Sequence, residues 1–254
     1  MKRSLSVRIA ESSTRKDVAA VPIEQLAPLA REAGFEGLSM RASVVSVDSP
    51  AERVREVRRL LDGLGLGVSM VTGDVALAAN TPDADRVLRD PLPYLELARA
   101  LGSDLIRIML RSNDEVGLLP RVCDLAAERG VRLAHQTHWN TLFETVDGAL
   151  DVLRRVDRPN FGLTFEPSNL LVCGEDYGRS AVERLAPHLF NVYFQNMRLT
   201  PNGAEVWNTR TRGPIAAEYV PLDDPDGIDV GELIAAYERR FRQDFWTRLP
   251  AALV

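Results

Sequence analysis

Residues 131–166 read VRLAHQTHWNTLFETVDGALDVLRRVDRPNFGLTFE, and their pattern decides the fold. VRLAHQ is short, apolar and β-leaning. A polar turn follows, and from about Thr145 to Val156 apolar residues recur at Val146, Ala149, Leu150 and Leu153, the spacing of one helical face. Asp157, Arg158, Pro159 and Asn160 stop that helix, and FGLTFE is a second buried strand ending in a carboxylate, Glu166. A strand, helix and strand of this size make a right-handed crossover between parallel strands. Ligand chemistry in such units gathers at the carboxyl ends of the strands, where Gln136 and Glu166 fall.

The same unit recurs on both sides. Towards the amino terminus lie the strand SLSVRI, a helix over Ile23–Ala33, GLSMR ending at Arg41, a helix opened by Ser49 and Pro50, and the strand GVSMVTGD. A longer loop, a helix over Pro91–Leu101, DLIRIML and a helix over Glu115–Arg129 complete the run. After Glu166 come a helix around Ser180–Ala186 and LFNVYFQN as a seventh strand. Gln136, Glu166 and Gln195 are spaced 30 and 29 residues apart, one strand, helix and two loops each. This predicts a single α/β domain over 1–254, a (β/α)8 TIM-type barrel, ahead of an open doubly wound sheet. No GxGxxG or GxxxxGK[ST] motif supports the open sheet.

The end of the chain departs from the repeat. Residues 196–229 are rich in proline and glycine and read as a long loop, followed by a helix over Val230–Phe241. In the atypical end, 230–254, only DFWTRL is left for an eighth strand and no eighth outer helix fits, so the eighth β/α unit is shortened or incomplete. An uncovered sheet edge or apolar face predicts a homo-oligomer.

With 254 residues, 45% of them hydrophobic, the chain can bury one sizeable core. A net charge of −5 argues against nucleic acid and acidic membranes as partners. Cys123 and Cys173 make no disulfide framework, no run approaches the length of a membrane span, and the amino-terminal apolar run breaks at Arg8. A cytoplasmic location is expected.

Side chains alternate along a strand. Gly162, Thr164 and Glu166 therefore point inward, as do Gln136, and Asn191, Tyr193 and Gln195; His135 points outward. The same rule aims Arg8, Arg41 and Arg107 inside. Buried guanidinium groups need anionic partners, so either an anionic substrate or neighbouring Glu and Asp side chains are expected to meet them. Glu166 is the expected base and His138 a loop acid. Gln136, Gln195 and Asn196 offer amide N–H groups to a substrate oxyanion, Asn169 positions Glu166 or the ligand, and Tyr193 lines the pocket. His188 and the run Arg53–Arg59, interspersed with Glu56, carry no assigned role.

RLAHQTHWNTLFETVDGAL, NFGLTFEPSNLLVCGEDYG and HLFNVYFQN together resemble the sugar phosphate isomerase/epimerase family of the xylose-isomerase-like TIM barrels. The resemblance extends to about Ile228. It implies a barrel that holds a divalent metal with Glu, Asp, His and Glu at four strand ends, the two glutamates moving protons between adjacent carbons. In this chain Gln136 stands at the first position and Glu166 at the second. No histidine occurs among Tyr193–Asn196, and the last glutamate would fall near Leu249 or Pro250. The expectation is accordingly no cofactor, or a weakly bound Mn or Mg at Glu166 and Gln136.

Three functions fit. The first is an isomerase or epimerase acting on a small sugar, sugar phosphate or polyol by proton abstraction next to a carbonyl. The second is a metal-independent lyase or dehydratase on the same scaffold, and the third a binding protein that lost the metal site. The substrate is expected to be a small anionic or polyol molecule.

Overall fold

Strand and helix alternate through the structure, a computed structural model that describes residues 2–238. The strands β1 (Ser4–Ser6), β2 (Gly37–Met40), β3 (Gly67–Val71), β4 (Leu105–Ile108), β5 (Arg132–Gln136), β6 (Phe161–Phe165) and β7 (Leu189–Val192) form one sheet in that order. The architecture is an α/β barrel whose seven-stranded parallel sheet is not fully closed. The proposed eighth strand, 244–249, lies outside the described residues; 230–238 are helical.

By its contacts the chain divides into two units, 1–135 with 156–162, and 136–155 with 163–254. The first unit carries α1 (Ile23–Glu32), α2 (Ala51–Leu64), α3 (Val75–Ala79), α4 (Arg86–Arg89), α5 (Leu92–Ala100) and α6 (Asn113–Ala127). Each longer helix buries one stripe, such as Val54, Val57 and Leu61 of α2, while its Glu and Arg residues pair on the exposed side. Ser112 opens α6 with a capping box: its hydroxyl accepts from Glu115 N, and the Glu115 carboxylate accepts from Ser112 N. The stretch between β3 and α5, expected as a loop, holds α3, a 3-10 turn over Pro82–Asp85 and α4. β1 ends at Ser6, so Arg8 lies in a 3-10 turn over Val7–Ala10, where strand alternation does not apply.

The second unit contains α7 (Val146–Val156) up to Arg155, α8 (Pro167–Cys173) and α9 (Arg179–Leu185). Here the expected long loop at 196–229 is corrected. It folds into a three-stranded antiparallel sheet of β8 (Asn196–Leu199), β9 (Glu205–Thr209) and β10 (Gly213–Val220), in the order β8-β10-β9. Register sets Met197 opposite Tyr219 and Trp207 opposite Ile215 on one face. That face closes on Val172 of α8, with Trp139 packed against the cluster. Turn chemistry explains the misreading: Pro201, Asn202 and Gly203 turn the chain between β8 and β9, and Gly213, at φ 71°, follows the β9–β10 turn. The expected seventh strand also shortens, ending at Val192 and leaving Gln195 in the connection to β8.

Candidate active site

Glu166 sits where β6 stops and α8 starts. Pro167 occupies the first helical position, which needs no N–H, so the turn into α8 follows directly from the sequence. As N-cap, Glu166 makes no capping bond with its side chain. The carboxylate instead collects side-chain donors. Oε1 accepts from Ser168 Oγ at 3.1 Å and from Gln195 Nε2; Oε2 accepts from Asn169 Nδ2 at 2.7 Å and from Gln136 Nε2. Glu166 itself is 1% exposed. Ser168 and Asn169 are buried, whereas Gln136 and Gln195 are half-buried, so the two glutamines form the approachable side.

Thr137 fixes the backbone beneath. Its N–H donates to Thr164 O at 3.0 Å, its hydroxyl donates to Glu166 O at 3.1 Å, and the same oxygen accepts from Glu166 N at 2.8 Å. Asn169 adds a bond to Thr137 O at 2.9 Å. The ends of β5 and β6 are thereby locked together under the carboxylate. Sequence reasoning brought forward Gln136, Glu166, Asn169 and Gln195, all of which meet here. Ser168 and Thr137 join them without having been expected; each lies beside an expected residue, in EPSN and QTH.

His138 begins the β5–α7 loop and is buried. Its Nδ1 lies 2.8 Å from Trp139 O, an acceptor, so Nδ1 donates there. Its backbone N–H donates to Phe143 O and its carbonyl accepts from Thr141 Oγ1. Asn140 takes the left-handed conformation, at φ 55°. Glu144, also buried, closes the loop: its carboxylate accepts from the backbone N–H groups of Asn140, Arg210 and Thr211. Those bonds join the loop carrying His138 to the β9–β10 turn.

Other expected site residues have different surroundings. Asn196 is buried, donates to Pro221 O and Leu222 O at 3.0 and 3.3 Å and accepts from Ile228 N at 2.6 Å, so it clamps 221–228. Tyr193 is half-buried and anchored by its backbone N–H on Phe165 O, 2.8 Å away. In the first unit, Arg41 pairs with Glu11 at 2.6 Å and donates to Ala78 O at 2.8 Å. Arg107 donates to Leu77 O and to Asn80 Oδ1, and Arg111 to Thr81 O and Asn80 O. Three guanidinium groups therefore complement the carbonyl end of α3, a favourable place for positive charge. Asp74 caps the other end of α3 through Leu77 N and accepts from Tyr94 Oη.

A divalent ion fits the Glu166 group poorly. Its donors are one carboxylate, three carboxamides and a hydroxyl, and both carboxylate oxygens already accept N–H or O–H bonds. Hard cations need several anionic oxygens and zinc needs imidazole or thiolate. Among the described residues no three His, Cys, Asp or Glu side chains converge as a metal site would require. No chemical step is therefore assigned to a metal.

A family model described as xylose isomerase-like TIM barrel matches residues 27–236. A curated 3-dehydroshikimate dehydratase of Bacillus anthracis is 23% identical over 193 residues, covering 70% of this chain and 67% of that protein. Among solved structures, a probable 3-DHS dehydratase from Bacillus anthracis, involved in petrobactin synthesis, superposes with a TM-score of 0.67 at 20% identity over 96% of this chain and 89% of its own. A xylose isomerase-like TIM barrel protein from Mycobacterium smegmatis in complex with magnesium gives 0.65 at 15% identity over 93% and 86%. With a family model spanning most of its length, the chain belongs to the xylose isomerase-like TIM barrel family.

Proposed function

We propose that the protein is a dehydratase acting on a small hydroxylated carbonyl compound, with Glu166 as base and no metal ion in the reaction. The observation that carries this reading is the lone carboxylate of Glu166 held by the neutral donors of Gln136, Asn169, Ser168 and Gln195. Epimerisation at one carbon calls for a proton donor and an acceptor on opposite faces. Elimination needs one base and a proton for the departing oxygen.

Glu166 removes a proton from the carbon next to the carbonyl. The electron pair moves into the carbonyl, and the resulting oxyanion accepts N–H from Gln136 or Gln195, whose amides turn towards it. The electrons then return, forming the carbon–carbon double bond and breaking the β carbon–oxygen bond. His138 protonates the leaving oxygen, and the proton on Glu166 passes back to His138 through water, so one water is lost per turnover. Tyr193 lines the approach. The sequence similarity to a dehydratase supports the reading.

The test uses 3-dehydroshikimate as probe and follows the unsaturated product by ultraviolet absorbance. Glu166→Gln is expected to cut kcat by at least about 100-fold, the usual scale of general-base catalysis, with KM nearly unchanged. Deuterium appearing in recovered substrate without water loss would favour isomerase chemistry instead. A weak Mn or Mg site at Glu166 and Gln136 would show as a melting shift with either ion that Glu166→Gln removes.

A further inference from the structure

Within the second unit, the antiparallel sheet after β7 reaches both elements that carry the site's proton-handling side chains. One is α8, which begins at Pro167, directly after Glu166, and ends at Cys173. Its last turn is held from the β9–β10 side: Val172 packs with Trp207, and the Thr211 hydroxyl donates to Cys173 O at 3.4 Å. The other is the loop after β5, which carries His138. Arg210 Nε donates to Asn140 Oδ1 at 3.3 Å, and the backbone N–H groups of Arg210 and Thr211 donate to the Glu144 carboxylate at 2.8 and 3.0 Å. Residues 210 and 211 therefore touch the helix that follows Glu166 and the loop of His138 at once.

Glu144, 3% exposed, is the joint between them. The loop closes on itself around His138: its N–H donates to Phe143 O at 3.2 Å, its carbonyl accepts from Thr141 Oγ1 at 2.6 Å, and Thr141 Oγ1 accepts from Phe143 N at 3.0 Å. Residues 138–143 thus move as one piece, and whatever anchors that piece sets the place of the imidazole. Asn140 is held at φ 55°, unfavourable for a residue with a side chain, and in that conformation its N–H meets the Glu144 carboxylate. Hydrogen bonds from N–H groups to an ionised carboxylate are about twice as strong as those between neutral groups. A buried carboxylate also needs its donors, so the loop and the turn hold each other through it.

We infer that Glu144 is a positioning residue: by tying the loop 138–143 to the β9–β10 turn, it fixes the His138 imidazole relative to Glu166, so that the departing oxygen is protonated as the carbon–oxygen bond breaks. The catalytic consequence rests on the dehydratase reading, with His138 as the acid. The placement of His138 does not.

The test compares wild type and Glu144→Gln with 3-dehydroshikimate in heavy water. The variant keeps one acceptor oxygen and sets an NH₂ against the remaining N–H groups, which loosens the tie. Water loss is read by ultraviolet absorbance, and deuterium in recovered substrate by mass spectrometry. Glu166 still takes the proton in the variant, and the enolate returns to substrate with deuterium delivered through Glu166. Water loss is expected to fall about tenfold with KM within about twofold, while deuterium entry persists, so the ratio of exchange to elimination rises about tenfold. Equal losses of both, the mark of a weakened fold, or no loss in either would overturn the assignment. Should the wild type lose no water from this probe, the dehydratase reading fails and crystal structures of both proteins decide: a His138 ring displaced beside an unmoved Glu166 group supports the inference, and an unmoved ring overturns it. Should Glu144→Gln fail to fold, Glu144→Asp, which draws both oxygens back by one methylene, goes through the same measurements with the same expectations.

Discussion

Glu166 shows what strand alternation can and cannot reveal about a single side chain. Period-two alternation and the spacing of 30 and 29 residues predict Gln136, Glu166 and Gln195 at successive strand ends; all three meet in the structure, Gln195 from the connection after β7 rather than from a strand end. The hydroxyls of Thr137 and Ser168 follow no period, and their contributions depend on a backbone turn invisible in composition. Arginine partners were similarly hidden. Alternation gives the face of Arg41, but Glu11, which neutralises it, comes from a non-repetitive turn 30 residues earlier. Burial pushes the thiols of Cys123 and Cys173 up to about 12. Since an unfolded thiol titrates near ~8.5, the unfolded chain releases protons first as pH rises. The stabilising contribution is fully present below about 8.5 and is lost between there and about 12. Urea midpoints should therefore fall from pH 8 to 10.5, less steeply in Cys123→Ala/Cys173→Ala. A thiol reagent at pH 8 should label the native protein far more slowly than the unfolded one.

At the scale of elements, periodic segments were legible and turn-rich ones were not. The seven β/α repeats came from apolar period and helix stops, whereas β8, β9 and β10 were hidden by proline and glycine that belong to their turns. This small sheet bears on the site through Glu144. Removing its buried carboxylate in Glu144→Ala leaves the N–H groups of Asn140, Arg210 and Thr211 without their acceptor. A loss of about 2–3 kcal/mol is expected from urea denaturation, and hydrogen exchange should quicken at those three amides. Unchanged exchange there would show that Glu144 does not hold the loop. Gly174, with φ 74° and with the Arg212 side chain 2.7 Å from where a Cβ would stand, ends α8. Gly174→Ala should cost about 1–2 kcal/mol in the same assay.

For the molecule as a whole, the sequence conveyed the barrel class and family, while the expected eighth strand lies outside the described residues. No helix among the described residues is long and apolar enough to cross a membrane. Among the described residues the parallel sheet is not fully closed, and β9 is an edge strand of its own sheet. Edges of this kind favour association, so sedimentation should give a mass that is a multiple of the 28.1 kDa chain. A monomer at micromolar concentration would remove that expectation without touching the chemistry. The central claim is that Glu166 works among amides without a cation. Its most direct test is the rate of 3-dehydroshikimate dehydration before and after exhaustive chelation, with Mn or Mg then restored. An unchanged rate throughout is expected; activity that vanishes with chelation and returns with the ion would contradict the claim.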